Sequence, residues 1–259
     1  MHMPETAVAA PGTVNWVDIS SRNVEASKTF YSKLFGWQPE TVPDPQAGGY
    51  TFFKLNGKQV SALGPTQSEQ QPPSAWSIYF ATDDADATAK KVKDAGGKVI
   101  SEPFDVMGVG RMAVFQDPTG AFFSVWQPGQ HKGFELSNQP SAYAWAELNT
   151  RGIDKATSFY QKVFGWGVKK SPMGEGQGDY TEFQIDGNSI AGGYETQQPP
   201  EVPPHWLVYF AADDPDATTK KVAQLGGKVM LEPQDFPGGR FAIASDPQGG
   251  AFGILRMTR

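Results

Sequence analysis

The chain is written twice, and that repetition limits what it can fold into more than any other feature. FYSKLFGW at residues 30–37 returns as FYQKVFGW at 159–166, an offset of 159 − 30 = 129. SIYFATDDADAT (77–88) returns as LVYFAADDPDAT (207–218), KKVKDAGGKVISEP (90–103) as KKVAQLGGKVMLEP (220–233), and GRMAVFQDPTGA (110–121) as GRFAIASDPQGG (239–250). Helix or strand patterning alone does not produce agreement of this length, so two homologous domains are expected. Residues shared by the copies serve the fold. Residues that differ are candidates for a pocket that only one copy keeps.

A length of 259 residues allows two domains of about 125 residues, each able to bury its own core. The net charge is −6 and there is no basic run, so neither nucleic acid nor an anionic membrane surface is an expected partner. The absence of cysteine removes disulfides, thiolate metal sites and thiol nucleophiles together, and fits a cytoplasmic protein. MHMPETAVAAPG (1–12) has neither the apolar core nor the basic start of a signal peptide and is expected to be a disordered tail. No apolar run approaches the roughly 18 residues of a membrane span.

Each half splits again at a polar, proline-rich stretch, 64–74 in the first and 195–205 in the second, and a further connector occupies 127–141. The expected boundaries are a tail 1–12, a domain 13–128, a linker 129–141 and a domain 142–259. In the first segment VNWVDI (14–19) reads as a strand. Asn23 then caps a helix whose apolar Val24, Ala26, Phe30, Leu34 and Phe35 recur at helical spacing, with Gly36 as its stop. Asn56-Gly57 marks a hairpin. The second segment has strand WSIYFAT, a helix over 84–95 ended by Gly96-Gly97, and strands KVISEP, GRMAVFQD and AFFSVWQ. Each segment is therefore βαβββ. The fold class is α+β: curved mixed sheets with helices on the outer face and a cup on the other.

Four βαβββ units carry FY..LFGW at the close of the first helix, DD.DAT..KV...GGKV in the second, and GR......DP.G before the last strand. This chain resembles the vicinal oxygen chelate superfamily of glyoxalase, bleomycin-resistance and extradiol dioxygenase relatives over about residues 13–257. It is most similar to the tandem actinobacterial type, which includes proteins found with polyketide antibiotic pathways. The resemblance implies the fold; that superfamily hosts metalloenzymes, lyases, epimerases and plain drug-binding proteins alike.

Because side chains alternate along a strand, the two copies sort the faces. Val17 and Ile19 match Ala146 and Leu148 and belong on the helix side, which leaves Trp16 and Asp18, with Trp145 and Glu147, facing the cup. By the same argument Tyr50, Phe52, Lys54, Ser77, Tyr79, Phe122, Ser124 and Trp126 look inward in the first copy, and Tyr180, Glu182, Gln184, Leu207 and Tyr209 in the second. The helix-side set repeats almost conservatively and the cup-side set does not. Trp126 is the one tryptophan of seven without a counterpart, and an uncovered Trp–Phe–Trp patch implies a ligand or another module over it.

The resemblance places metal ligands at Trp16, Ser61–Ala62, Ser77 and Ser124 in the first half, and at Trp145, Ala191–Gly192, Leu207 and Gly253 in the second. A catalytic divalent site needs about three His or carboxylate ligands. The chain has three histidines: His2 in the tail, His131 in the connector and His205 at the end of another. Arg111 and Arg240 recur, and structural pairing with Asp117 or Asp246 is expected. The reading is therefore no intrinsic cofactor, with a divalent metal the disfavoured alternative, and a hydrophobic small molecule as partner. The expected ligand-binding residues are Trp16, Phe52, Tyr79, Ser124, Trp126, Trp145, Glu182, His205 and Tyr209. Asp18 and Glu147 are the candidate proton-transfer groups of an alternative lyase, isomerase or glyoxalase-like enzyme. Module pairing within or across halves stays open, as does monomer or homodimer.

Overall fold

The computed structural model describes residues 9–66, 74–174, 176 and 178–258. The first half comprises β1 (Val14–Ser21), α1 (Val24–Phe35), β2 (Gln38–Thr41), β3 (Thr51–Leu55), β4 (Lys58–Pro65), β5 (Ser74–Ala81), α2 (Ala85–Asp94), β6 (Lys98–Val106), β7 (Gly110–Gln116) and β8 (Phe122–Pro128). The second comprises β9 (Tyr143–Thr150), α3 (Ile153–Phe164), β10 (Gly167–Gly174), β11 (Gly178–Ile185), β12 (Asn188–Glu195), β13 (His205–Ala211), α4 (Pro215–Gln224), β14 (Lys228–Phe236), β15 (Gly239–Ser245) and β16 (Ala251–Met257).

Local signals explain the boundaries. Asn23 Oδ1 accepts from the Ala26 amide at 3.1 Å, and Gly36 ends α1 at φ 76°, a left-handed value that costs glycine nothing. Asp84 and Asp214 cap α2 and α4 in the same way, accepting from the amides of Ala87 and Ala217. Asn56 and Gly57 both take positive φ, 53° and 78°, as a two-residue hairpin between β3 and β4 demands.

Each half forms one eight-stranded sheet, ordered β2-β3-β4-β1-β5-β8-β7-β6 in the first and β10-β11-β12-β9-β13-β16-β15-β14 in the second. The modules therefore pair within a half. β1 lies antiparallel to β5 with Asp18 opposite Ser77, and parallel to β4 with Asp18 opposite Ala62. β5 runs parallel to β8 with Tyr79 opposite Ser124. The central seam of each sheet thus gathers both opening strands and both closing strands at the floor of the cup.

The helix-covered faces of the two sheets pack against each other, so the halves share one core. Phe30, Tyr31 and Phe35 of α1 contact Phe252, and Phe35 also Phe210, in the second half. Tyr160 and Phe164 of α3 contact Phe80 and Phe123 in the first, and Phe159 joins them on Phe123. Two matching hydrogen-bond clamps cross the seam. The Tyr160 hydroxyl donates to Asp117 Oδ2 at 3.0 Å and accepts from Trp206 Nε1 at 2.9 Å. The Tyr31 hydroxyl donates to Asp246 Oδ2 at 3.1 Å and accepts from Trp76 Nε1 at 3.2 Å. The repeated FGW also faces the seam, since Trp37 Nε1 donates to the Ser141 carbonyl and Trp166 Nε1 to that of Gly12.

This corrects the expected arginine pairing. Asp117 and Asp246 hold their own turns and the opposing tyrosine, whereas Arg111 is bidentate on Asp86 and Arg240 on Asp216. The acids at the helix starts are therefore the arginine partners, reached across the sheet from β7 and β15. The segment expected as a loose tail lies outside the described residues up to position 8, but Gly12 is buried and donates its amide to Ala81. Positions 67–73 of the first proline-rich connector also lie outside them.

The linker between the halves is a strap rather than a free connector. Gly129 and His131 donate their amides to the Val109 carbonyl, Phe134 to Asn15 and Glu135 to Gln59. The chain is thereby tied to the β6–β7 turn, to β1 and to β4, across the mouth of the first cup. Gly133, at φ 102°, allows this approach, because a Cβ there would collide with the Asn15 carbonyl oxygen.

Candidate functional site

The first cup opens into a cleft of about 1240 Å³, bordered by Trp16, Asp18, Tyr50, Phe52, Ser77, Tyr79, Trp126, His131 and Phe134 together with Phe104, Met107 and Met112 of the β6–β7 hairpin. At its floor Asp18 Oδ2 accepts from the hydroxyls of Tyr50 at 2.9 Å and Tyr79 at 3.0 Å, and Tyr50 in turn accepts from Trp16 Nε1 at 3.2 Å. Removal from water raises the Asp18 carboxyl from 3.8 to about 6, against the opposing pull of Tyr50, Tyr79 and Ser77, because desolvation penalises the charged form more than these hydrogen bonds favour it. Both tyrosines are raised well above 10.0, chiefly by burial and then by the neighbouring Asp18 charge.

Aromatic rings form the walls. Trp16 packs edge-on to Phe52 at 6.1 Å and tilted to Phe134 at 5.5 Å. The His131 ring stands 4.5 Å from Trp16, 5.5 Å from Phe52 and 5.6 Å from Trp126. Trp126 Nε1 donates to the His131 carbonyl at 2.9 Å, and the indole lies so close to Gly110 that any side chain at 110 would overlap it. Trp126 is thus buried under the strap, which supplies the cover that the sequence implied a ligand or module would provide.

The second cup keeps the floor and changes the walls. Glu147 accepts from Tyr180 at 3.0 Å and Tyr209 at 2.9 Å, and Trp145 Nε1 donates to Tyr180 at 3.0 Å. Burial raises the Glu147 carboxyl in the same direction as Asp18. Above this floor Leu207, Tyr209 and Leu255 pack with Trp145, Phe236, Phe241 and Ile243. Trp145, Phe236, Phe241 and Ile243 are each only half-buried in this cluster.

The inward residues separate accordingly. Trp16, Asp18, Phe52, Tyr79 and Trp126 come together on one cleft, and Trp145, Glu147 and Tyr209 on the second cup. Ser124 is buried beside Tyr79 and does not border the cleft. Phe122 is 54 % exposed and Lys54 pairs with Glu40, so the last strand and β3 turn only part of their alternating faces inward. Glu182 stands level with Gly192 and Glu147 across the sheet, yet its carboxylate is taken by Ser189 and Lys169, which hold it below the usual range. The His205 ring is bonded to the Pro203 carbonyl at 2.9 Å. Tyr50 and Tyr180, omitted from the expected ligand set, hold the two carboxylates; their inward alternation and pairing across the copies were the available signal. His131 and Phe134 had none, because the strap lacks strand or helix periodicity.

The two-half architecture and the cup define a superfamily, and comparison with known proteins identifies it. The profile described as the Glyoxalase/Bleomycin resistance protein/Dioxygenase superfamily matches residues 13–125 and 142–254, and the chain belongs to this superfamily. It is 43% identical over 263 residues to the anthracycline biosynthesis protein DnrV of Streptomyces peucetius, covering 96% of this chain and 94% of that protein. It is 41% identical over 258 residues to the putative glyoxylase CFP32 of Mycobacterium bovis, covering 98% of each. Its fold is similar to that of the Mn(II)-bound glyoxalase from Novosphingobium aromaticivorans, with a TM-score of 0.67 at 20% identity over 95% of this chain and 82% of that one.

The superfamily includes metalloenzymes, so the donor set was compared with what a divalent ion needs. The positions implied as ligands hold Trp16, Ser61–Ala62, Ser77 and Ser124 in the first half and Trp145, Ala191–Gly192, Leu207 and Gly253 in the second. Indole, methyl and leucyl groups donate nothing to a metal. Gly192 and Gly253 are bare for a steric reason: a Cβ on either would overlap Tyr180 or Tyr209 respectively. Among the described residues, no three His, Cys, Asp or Glu side chains are grouped to hold an ion. These residues do not fit a catalytic divalent centre.

Proposed function

We propose that the chain is a metal-independent binding protein for a flat apolar or aromatic, polyketide-like small molecule, held in the first cup, and that it serves in the cytoplasm as a resistance, sequestration or biosynthetic accessory protein. The observation that carries this reading is the ring of Trp16, Phe52, Trp126 and Phe134 around a cleft whose implied metal positions hold no histidine or carboxylate. Pockets for organic ligands are concave, mostly apolar and carry a few oriented polar groups. Each aromatic contact adds about 0.5–1.5 kcal/mol beyond the area it buries, so two or three of them support micromolar affinity. The similarity to an anthracycline biosynthesis protein points to the same ligand class.

The experiment is a tryptophan-fluorescence titration of chelator-stripped protein with 2-hydroxyanthraquinone. Saturable quenching is expected. Quenching that appears only after manganese, iron, nickel or zinc is restored would reject metal independence.

One observation favours a second reading. Asp18, a half-buried carboxyl raised to about 6, faces the same cleft, and a group titrating there can donate or accept a proton near neutral pH. In that reading the protein is a lyase or isomerase with Asp18 as its proton-transfer group. Asp18→Asn then abolishes turnover, whereas under the binding reading it leaves ligand affinity within about twofold.

A further inference from the structure

We propose that the β6–β7 hairpin supplies the outer half of the binding platform, with Phe104 and Met107 covering the far end of a multi-ring ligand whose near end lies in the first cup; this rests on the reading of that cup as an aromatic-ligand site. The strand register carries the first part of the argument. Phe104 on β6 stands opposite Met112 on β7, and Met112 opposite Trp126 on β8. Residues directly opposite one another on neighbouring strands project from the same face of a sheet. Trp126, Met112 and Phe104 therefore form one apolar row from the base of the cup to the sheet edge, and all three border the cleft. Exposure rises along it: Trp126 is buried, Met112 is half-buried and Phe104 is 44 % exposed. The row crosses two interstrand spacings, about 10 Å, which is the reach of several fused rings and not of one.

The second copy shows that the fold does not ask for this phenylalanine. There the corresponding row is Leu255, Phe241 and Gln234, so an amide stands where the first half exposes a ring. β6 is the terminal strand of its sheet, and a large apolar side chain exposed on an edge strand is a liability; at the border of a cleft it is accounted for by a molecule that covers it. The hairpin tip adds an independent observation. Among the described residues, three tight turns pair a non-glycine residue with a following glycine at positive φ: Asn56-Gly57 at 53° and 78°, Asp186-Gly187 at 50° and 78°, and Met107-Gly108 at 48° and 73°. Asparagine and aspartate tolerate the left-handed region because their short polar side chains bond locally, and methionine has no such compensation. Met107 is 45 % exposed and borders the cleft. The chain thus accepts a backbone cost at this turn and sets a soft, polarisable thioether beside the cleft.

The test titrates 2-naphthol and the longer 2-hydroxyanthraquinone into the whole chain, Phe104→Gln and Met107→Asn by tryptophan quenching, with the melting temperature and sedimentation velocity of each protein. Phe104→Gln installs the side chain found at 234 and is expected to lower the affinity for 2-hydroxyanthraquinone about tenfold, the ratio one aromatic contact supplies. Its affinity for 2-naphthol is expected to stay within about twofold, because the shorter molecule ends before the hairpin. Met107→Asn is expected to raise the melting temperature by relieving the turn while weakening the longer probe about threefold. Unchanged affinity for the longer probe, or an equal loss for both probes, overturns the proposal. So does a fall in melting temperature for Met107→Asn, since the methionine then serves the turn. A shift between dimer and monomer with probe selectivity intact also overturns it, because the exposed pair then covers a second copy. In each of these cases wild type still binds and the aromatic-cup reading stands. Failure of wild type to bind either probe overturns both.

Discussion

Replacing Asp18 by asparagine should make the protein more stable above pH 6 and change little near pH 4. The carboxyl lies at the floor of the first cup with its folded pKa raised from 3.8 to about 6 by removal from water. A raised pKa means that the native state binds the proton more tightly than the unfolded chain does. The stabilising contribution is therefore complete below 3.8, falls as pH rises, and is gone above about 6, where the native state must hold a desolvated anion. At about 1.36 kcal/mol per pH unit, the interval from 3.8 to about 6 corresponds to some 3 kcal/mol. Asparagine keeps an acceptor oxygen for Tyr50 and Tyr79, and its amide is neutral at every pH, so it resembles the protonated acid. Urea unfolding at pH 8 should place the variant up to about 3 kcal/mol above wild type, and at pH 5 roughly half that. A variant that is destabilised at pH 8, or whose advantage is the same at both pH values, would show that the tyrosine hydrogen bonds, and not desolvation, govern this carboxyl.

The remaining predictions concern the seam, the wall and the metal. Tyr160→Phe removes the hydroxyl that bridges Asp117 and Trp206 and leaves both buried groups short of a partner; a loss of about 1–3 kcal/mol is expected by denaturant unfolding. Tyr31→Phe should cost a similar amount at the matching clamp, and the double variant close to the sum, since the two sites share no partner. Trp126→Leu, which installs the side chain found at 255 in the second half, should weaken aromatic-ligand binding at least tenfold, read by isothermal titration. Prolonged chelation followed by dialysis should leave the affinity for 2-hydroxyanthraquinone unchanged within twofold, whereas a tenfold fall would restore a metal to the site.

Much of the fold is legible in the chain, for physical reasons. Asn23, Gly36 and Asn56-Gly57 act through their own backbone neighbours, so their roles are local and can be read without tertiary information. Trp16, Asp18, Phe52 and Tyr79 face the cup because strand alternation fixes side-chain direction, and the second copy shows which face is shared. The strap is different. Its hydrogen bonds join Phe134 to Asn15 and Glu135 to Gln59, partners distant along the chain, and QPGQHKGFELSNQPS has the composition of an exposed connector. Nothing in that segment reports the strands it lies on, which is why His131 was placed in a linker and the covering of Trp126 was left to an outside body. The arginine partners fail for a related reason. Asp117 lies near Arg111 in sequence, but the first turn of α2 sets Asp86 against it at 2.9 Å, and Asp117 is already occupied by its own turn and by Tyr160.

The two cups, compared directly, separate what the fold needs from what a ligand needs. Both retain a tryptophan indole donating to a tyrosine, and two tyrosines donating to one buried acid, although the acid is Asp18 in one copy and the longer Glu147 in the other. Such a fully bonded floor is a shared element of the cup. The walls tell the opposite story. Ser77 becomes Leu207 and Met112 becomes Phe241, which add bulk, whereas Trp126 becomes Leu255, which removes it. The walls of the two cups therefore differ in composition while their floors repeat, and in the first half the strap adds His131 and Phe134 to the wall. The carboxylates, repeated in both halves, order the floor, whereas Phe52, Trp126 and the strap residues His131 and Phe134 are not repeated in the second cup.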